Sequence, residues 1–206
     1  MIQLIGYMDS PFVRRVAISL EFLGVAYEHR ELSIFRDFDE FRAINPLVKV
    51  PTLVLDNGQV LVESTLIIDY LEQYVAGRSL MPGNENDHLK AVQHVGTALV
   101  AMEKLASLIY ETSHRSPELQ HQPWIDRLRT QLGGAIDLME CAVNNHQGQW
   151  LLGDAISQAD ISTAVAWRFS QHIEASHINP ADYPALGEYS ARAEALPEFV
   201  ACPLTG

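Results

Sequence analysis

Hydrophobic and polar positions change rhythm along this chain, and each rhythm predicts an element. Ile2-Gln3-Leu4-Ile5 is a short apolar run suited to a buried strand, and Ser10-Pro11 follows it as a helix opening. Serine caps a first turn, and proline suits the first helical position, where its missing N–H costs nothing. Val13, Val16, Ala17 and Leu20 then recur at helical spacing until Gly24 stops them. A weak strand is predicted over residues 27–32, and the charged, irregular residues 35–44 read as a loop with a short helix. Thr52-Leu53-Val54-Leu55 and Gln59-Val60-Leu61 flank Asp56-Asn57-Gly58. Two β-rich runs joined through Asn-Gly give the clearest hairpin signal in the chain. Ser64 opens another helix, with Ile67, Ile68, Leu71, Tyr74 and Val75 on one face and Gly77 at its end.

Beyond Gly77 the strand signals stop. Residues 78–84 contain Pro82 and Gly83 and read as a linker. Leu89, Val92, Gly96, Leu99 and Glu103 trace a helix reaching about Ser113, and Leu128, Leu132, Ala135, Met139 and Ala142 trace a second. A third spans residues 154–172; its middle, Ala164-Val165-Ala166-Trp167, is apolar enough to be buried on most sides. Leu186, Tyr189, Ala193 and Leu196 mark a fourth, entered through Pro184 and closed by Pro197. Ser157 and Asp160 have the spacing of a capping box, with the acid in the place usual for Glu or Gln, which assigns them to stability. The predicted fold class is α/β plus all-α. A thioredoxin-like βαβαββα domain fills residues 1–77, residues 78–84 link, and residues 85–206 form a helical bundle.

Composition narrows the function classes. Hydrophobic residues make up 48% and charged residues 19%, the profile of a compact globular chain. No stretch approaches the ~20 apolar residues of a membrane helix. The opening residues also lack the basic start and apolar run of a signal peptide, so a soluble, cytoplasmic protein is expected. The net charge of −12, with 14 basic residues against 26 acidic and no basic run, argues against nucleic acid. It also means that any anionic ligand must be held by local donors. Cys141 and Cys202 form neither a disulfide framework nor a metal spacing. The pairs His88/His94, His114/His121 and His172/His177 miss the i, i+4 spacing of helical zinc pairs, and no metal is expected.

Four local patterns occur in a fixed order. They are Ser10-Pro11-Phe12-Val13-Arg14-Arg15, then Asn45-Pro46-Leu47-Val48-Lys49-Val50-Pro51-Thr52-Leu53, then Glu63-Ser64, and Ser157-Gln158-Ala159-Asp160 in the helical half. Each alone is a weak signal; at these spacings together they resemble the soluble glutathione transferases over essentially the whole chain. The resemblance implies a cis Val50–Pro51 bond, with the backbone of glutathione pairing to Val50 as an added strand. Without it, the trans preference of only ~0.5–1 kcal/mol at X–Pro leaves an ordinary trans proline at an edge strand equally open. The resemblance also implies that Glu63 takes the γ-glutamyl ammonium and Ser64 the γ-glutamyl carboxylate, at a helix N-terminus. Ser64 as a simple N-cap is the plainer alternative, and the two are compatible. Lys49 and Arg36 are the candidates for the glycine carboxylate. Arg36 lies in a variable loop, where a solvated surface charge competes with that role.

Ser10 is the expected catalytic residue. Glutathione attacks an electrophile as its thiolate. A hydroxyl at a helix N-terminus can donate to the sulfur, and the helix dipole adds ~0.3–1 kcal/mol. One pK unit is ~1.4 kcal/mol, so such terms move a thiol towards neutral pH. Tyr7, nearer the strand end, is the competing hydroxyl, and a Ser10 that only caps its helix is the bland alternative. Serine at this place resembles the tau class and bacterial relatives; the omega class carries cysteine there, which permits a mixed disulfide. Asp9-Ser10-Pro11 departs from the Ser-Ser-Cys-like opening of the zeta-type isomerases, which lowers maleylacetoacetate isomerase without excluding it. The resemblance places Tyr7, Phe12, Tyr110 and His114 at a second-substrate pocket, the last two one turn apart on one helix face. It implies conjugation of glutathione, as co-substrate, to a small hydrophobic electrophile, or glutathione-dependent peroxidase or reductase activity, in a C2 homodimer. A non-catalytic ligand-binding or regulatory protein of the same fold is the alternative.

Overall fold

A computed structural model describes residues 1–74, 78–173 and 176–205. Val75 and Gly77, expected on the face and at the end of the third helix, lie outside the described residues.

The first strand, β1 (Ile2–Ile5), buries Leu4 and Ile5 and leads into α1 (Pro11–Leu23). Ser10 is the N-cap, Pro11 takes the first helical position, and Gly24 closes the helix in the left-handed region at φ 69°. β2 (Tyr27–Arg30) pairs parallel with β1, a connection that requires α1 as crossover. α2 (Phe38–Ile44) is the short helix of the charged stretch. β3 (Thr52–Val54) and β4 (Val60–Val62) form the expected hairpin, closed by Leu55 N donating to Gln59 O at 2.8 Å. Its turn needs Gly58 at φ 82°, a conformation glycine adopts freely. β3 also pairs antiparallel with β1, giving the mixed order β2-β1-β3-β4. α3 (Ser64–Tyr74) packs against α1 and buries Ile67, Ile68 and Leu71.

The chain divides into two compact units. The first is Met1–Leu80 together with the segment from Leu196 onward; the second is Met81–Ala195. The returning segment carries α8 (Pro197–Val200), so Pro197 opens a helix of its own. Arg14, buried on α1, donates from Nε to the Cys202 carbonyl at 2.7 Å and lies over the Phe199 ring. Phe199 also meets Phe22 edge-on.

The second unit is helical: α4 (Glu85–Ile109), α5 (Gln122–Asn145), α6 (Gln158–His172) and α7 (Pro184–Glu194). α4 ends in a single wide turn at Tyr110–His114, and short 3-10 turns stand at Pro117–Leu119 and Pro180–Asp182. α6 is buried without a break from Gln158 to Trp167, with α4 and α7 packed against it. Asp160 anchors its start. The carboxylate accepts from Ser157 N and Ser157 Oγ, each at 2.6 Å, from Leu151 N at 2.8 Å, and from the Tyr189 hydroxyl. Burial, and then the charge of Asp160, push the Tyr189 hydroxyl well above its ordinary pKa, so it remains a donor. Cys141, which falls in an apolar sequence pattern, is exposed on α5 and accepts from Asn145 Nδ2 at 3.3 Å. Among the described residues no helix is long and apolar enough to cross a membrane, and no group of three or more His, Cys, Asp or Glu could hold a metal ion.

Candidate functional site

The chemistry predicted for the first unit gathers at the two ends of a short stretch of α1. At its N-terminus, Ser10 Oγ accepts from Val13 N at 3.5 Å, the outer limit of a hydrogen bond. The hydroxyl is therefore only loosely engaged in capping. Ser10 N donates to the Tyr7 carbonyl at 3.1 Å, closing the turn between β1 and α1. Gly6, at φ 134°, lets that turn press on its neighbours. A side chain there would come within 2.7 Å of Val13 Cγ2 and 2.8 Å of Val50 Cγ1. The turn bearing Tyr7 and Ser10 thus abuts Val50.

Val50 stands just ahead of β3, outside the strand pairing, and its bond to Pro51 is cis. The preceding loop is pinned by Asn45, a buried side chain that donates from Nδ2 to Thr52 Oγ1 at 2.8 Å and accepts from Leu47 N at 3.0 Å. Thr52 Oγ1 donates in turn to the Lys49 carbonyl at 2.7 Å. Lys49 itself is exposed.

At the start of α3, Glu63 has a left-handed backbone, φ 73°, uncommon for a residue with a side chain. Its carboxylate accepts from Thr65 N at 3.0 Å and Leu66 N at 3.2 Å, so Glu63 occupies two of the open N–H groups of the helix. Ser64 is buried and is not the capping side chain among these bonds. Its Oγ accepts from Arg15 Nη1 at 3.2 Å, and Thr65 Oγ1 accepts from the same nitrogen at 3.3 Å. A hydroxyl oxygen that accepts from a guanidinium directs its own hydrogen elsewhere, leaving Ser64 a donor for a carboxylate. Arg15 is buried on the second turn of α1. Burial lowers its pKa to about 10, Glu63 opposes that shift, and it stays a cation at neutral pH. One helix therefore carries Ser10 at its cap and, on its second turn, the cation that holds Ser64.

Arg15 stands in the Ser10–Arg15 motif, but nothing along the sequence gives it a role. An arginine is seldom fully buried, and only the packing of α1 on α3 reveals what lies beside it. Arg36 is exposed, as its surface-charge alternative has it, and its guanidinium lies over the Tyr7 ring, 5.2 Å from the centroid. Phe12 is half-buried on α1.

In the second unit, Tyr110 and His114 share one face of the wide turn, ring centroids 5.8 Å apart, and both are exposed. The turn is fastened from beneath by Glu111. This buried carboxylate accepts from His121 N and Arg115 Nε, each at 2.9 Å.

Known proteins resemble the chain along its whole length. The glutathione S-transferase N-terminal domain profile matches residues 4–79, and the C-terminal domain profile matches residues 101–201. Maleylacetoacetate isomerase of Dictyostelium discoideum is 24% identical over 96% of this chain and 90% of its own length. A glutathione transferase family member from Pseudomonas fluorescens Pf-5, solved with bound glutathione, is 27% identical with a TM-score of 0.86 over 100% of both chains. Maleylacetoacetate isomerase from Methylobacterium extorquens AM1, solved with malonate and GSH, is 25% identical with a TM-score of 0.79, covering 97% of this chain and 95% of that one. Matched in both halves and in the same order, this chain belongs to the glutathione S-transferase family.

Proposed function

We propose that the protein binds glutathione along Val50, holds its sulfur as a thiolate at Ser10, and adds that sulfur to an electrophilic carbon of a small second substrate. Family membership and the full-length relatives support a glutathione-dependent enzyme. The observation that carries the mechanism is α1, with the loosely engaged Ser10 hydroxyl at its cap and Arg15 fixing Ser64 on its second turn. In this reading Ser64 and Glu63 hold the γ-glutamyl end, and Lys49 the glycine carboxylate. Ser10 donates to the sulfur, where the helix N-terminus contributes ~0.3–1 kcal/mol towards the thiolate. Tyr7 and Phe12 serve the second substrate from the first unit, and the working form is a homodimer.

The reaction ends in one of two ways. In conjugation the sulfur–carbon bond is kept, and any leaving group departs with its electron pair. The full-length isomerase relatives favour a second outcome. There the thiolate adds to an activated cis double bond, the resulting single bond rotates, and elimination of the thiolate restores glutathione and a trans double bond. Both outcomes need the same sulfur, held by the same hydroxyl.

A glutathione-affinity column, followed by parallel assays with a nitroaromatic electrophile and a cis-enedione acid, tests the proposal. Retention with glutathione consumed supports conjugation, whereas retention with isomerisation and no net consumption supports the second outcome. Retention with neither activity leaves a binding protein, and failure to bind glutathione overturns the whole reading.

A further inference from the structure

Arg36 is held in place more firmly than an exposed loop arginine needs to be. Its N–H donates to Ser33 Oγ at 3.1 Å, Ser33 N donates to Asp37 Oδ2 at 2.8 Å, and Asp37 N returns to Ser33 O at 3.0 Å. That closed turn sets the guanidinium over the face of Tyr7. Tyr7 belongs to the turn whose carbonyl receives Ser10 N. The cation is therefore docked on the aromatic wall beside the sulfur site, whereas Lys49 directly precedes Val50 in the pinned loop.

The chemistry of the contact matters. A guanidinium that lies over a ring at 5.2 Å has five N–H donors in a planar fork, a geometry that matches the two oxygens of a carboxylate. Among the described residues no carboxylate stands within ion-pair distance of Arg36, although the chain carries a net charge of −12 and Arg30 nearby pairs with Glu40. The contact with the ring also removes rotamer freedom in advance, so less is lost when an anion arrives.

We infer that Arg36, seated on Tyr7, is a specificity residue of the second-substrate side, and that the preferred electrophile carries a carboxylate. This rests on the proposed glutathione reaction and narrows its substrate class from a hydrophobic electrophile to an anionic one. It reassigns Arg36 away from the glycine carboxylate, which falls to Lys49.

The test is calorimetric titration of the full chain with three probes: glutathione, S-(4-carboxy-2-nitrophenyl)glutathione and its 4-carbamoyl counterpart. The two conjugates differ only in one charge. The native protein should bind the acid about ten-fold more tightly than the amide, and the preference should shrink as salt is raised, since an exposed pair is screened. Arg36→Gln should reduce the preference to less than about two-fold while glutathione and the amide conjugate bind as before. Arg36→Lys, which keeps the charge and loses the planar guanidinium fork, should fall between them. Equal affinity of the native protein for acid and amide would sink the inference alone. So would an Arg36→Gln variant that loses affinity equally for all three probes, because Arg36 would then serve the glycine carboxylate. Absence of glutathione binding by the native protein would remove the underlying reaction, and this inference with it.

Discussion

Ser10 and Asp160 are both helix-capping residues, yet the two units use them in opposite ways. Asp160 is fully buried and accepts from four donors, none of them farther than 2.8 Å. Ser10 is half-buried and makes one cap bond at 3.5 Å. A carboxylate whose lone pairs are all matched fastens a fold. A hydroxyl with capacity left over remains available to a ligand. The same contrast recurs within the first unit, where Asn45 is tied on both sides of its amide while Lys49 is exposed.

Asp160→Ala is the strongest way to break this comparison. It strands two backbone donors and two hydroxyls in a dry site, and should cost about 3–5 kcal/mol in urea unfolding. A loss under about 1 kcal/mol would mean that the network is ornamental to stability. Ser10→Ala should do the reverse, lowering kcat ten-fold or more, about 1.4 kcal/mol, with glutathione affinity nearly unchanged. Unfolding should detect less than about 1 kcal/mol, since the cap bond is long. If Tyr7→Phe produces the kinetic loss instead, the working hydroxyl is Tyr7. Ser64→Ala sharpens the contrast within the first unit. It should raise the Kd for glutathione about five-fold, roughly 1 kcal/mol, and leave kcat at saturation within about two-fold.

The smallest effect is a pH dependence in the second unit. His94, on α4, has its pKa lowered from the ordinary 6.5, mainly by burial and further by Lys90, against the opposing pull of Asp160. Below that pH the unfolded chain binds a proton that the folded chain resists, so stability present above about 6.5 declines as pH falls. His94→Gln should flatten that part of the stability–pH curve, measured between about pH 7 and pH 5. An unchanged slope would assign the acid sensitivity elsewhere.

Much of this was legible along the chain because it is local. Ser10-Pro11 and Gly24 bound a helix by their own backbone chemistry, and Asp56-Asn57-Gly58 turns a hairpin because Gly58 tolerates φ 82°. Ser157 and Asp160 meet within one helical turn, so the box could be read from spacing. Asp160's other partners could not, since Leu151 and Tyr189 come from separate segments. Glu63 was legible as a ligand candidate but not as the group that covers the start of α3, which follows from its φ of 73°. The role of Arg15 and the aromatic partner of Arg36 were hidden for the same reason: each depends on a residue dozens of positions away, Ser64 for one and Tyr7 for the other.

The return of residues after Leu196 to α1 bears on how the protein is made. During synthesis the four strands and first three helices leave the ribosome early, yet the Cys202 carbonyl that receives Arg14 is assembled more than a hundred residues later. Until then the nascent first unit lacks the Phe199 ring beneath Arg14. Its completion must wait for the helical half to be translated, which ties maturation of the first unit to synthesis of the residues that follow Ala195.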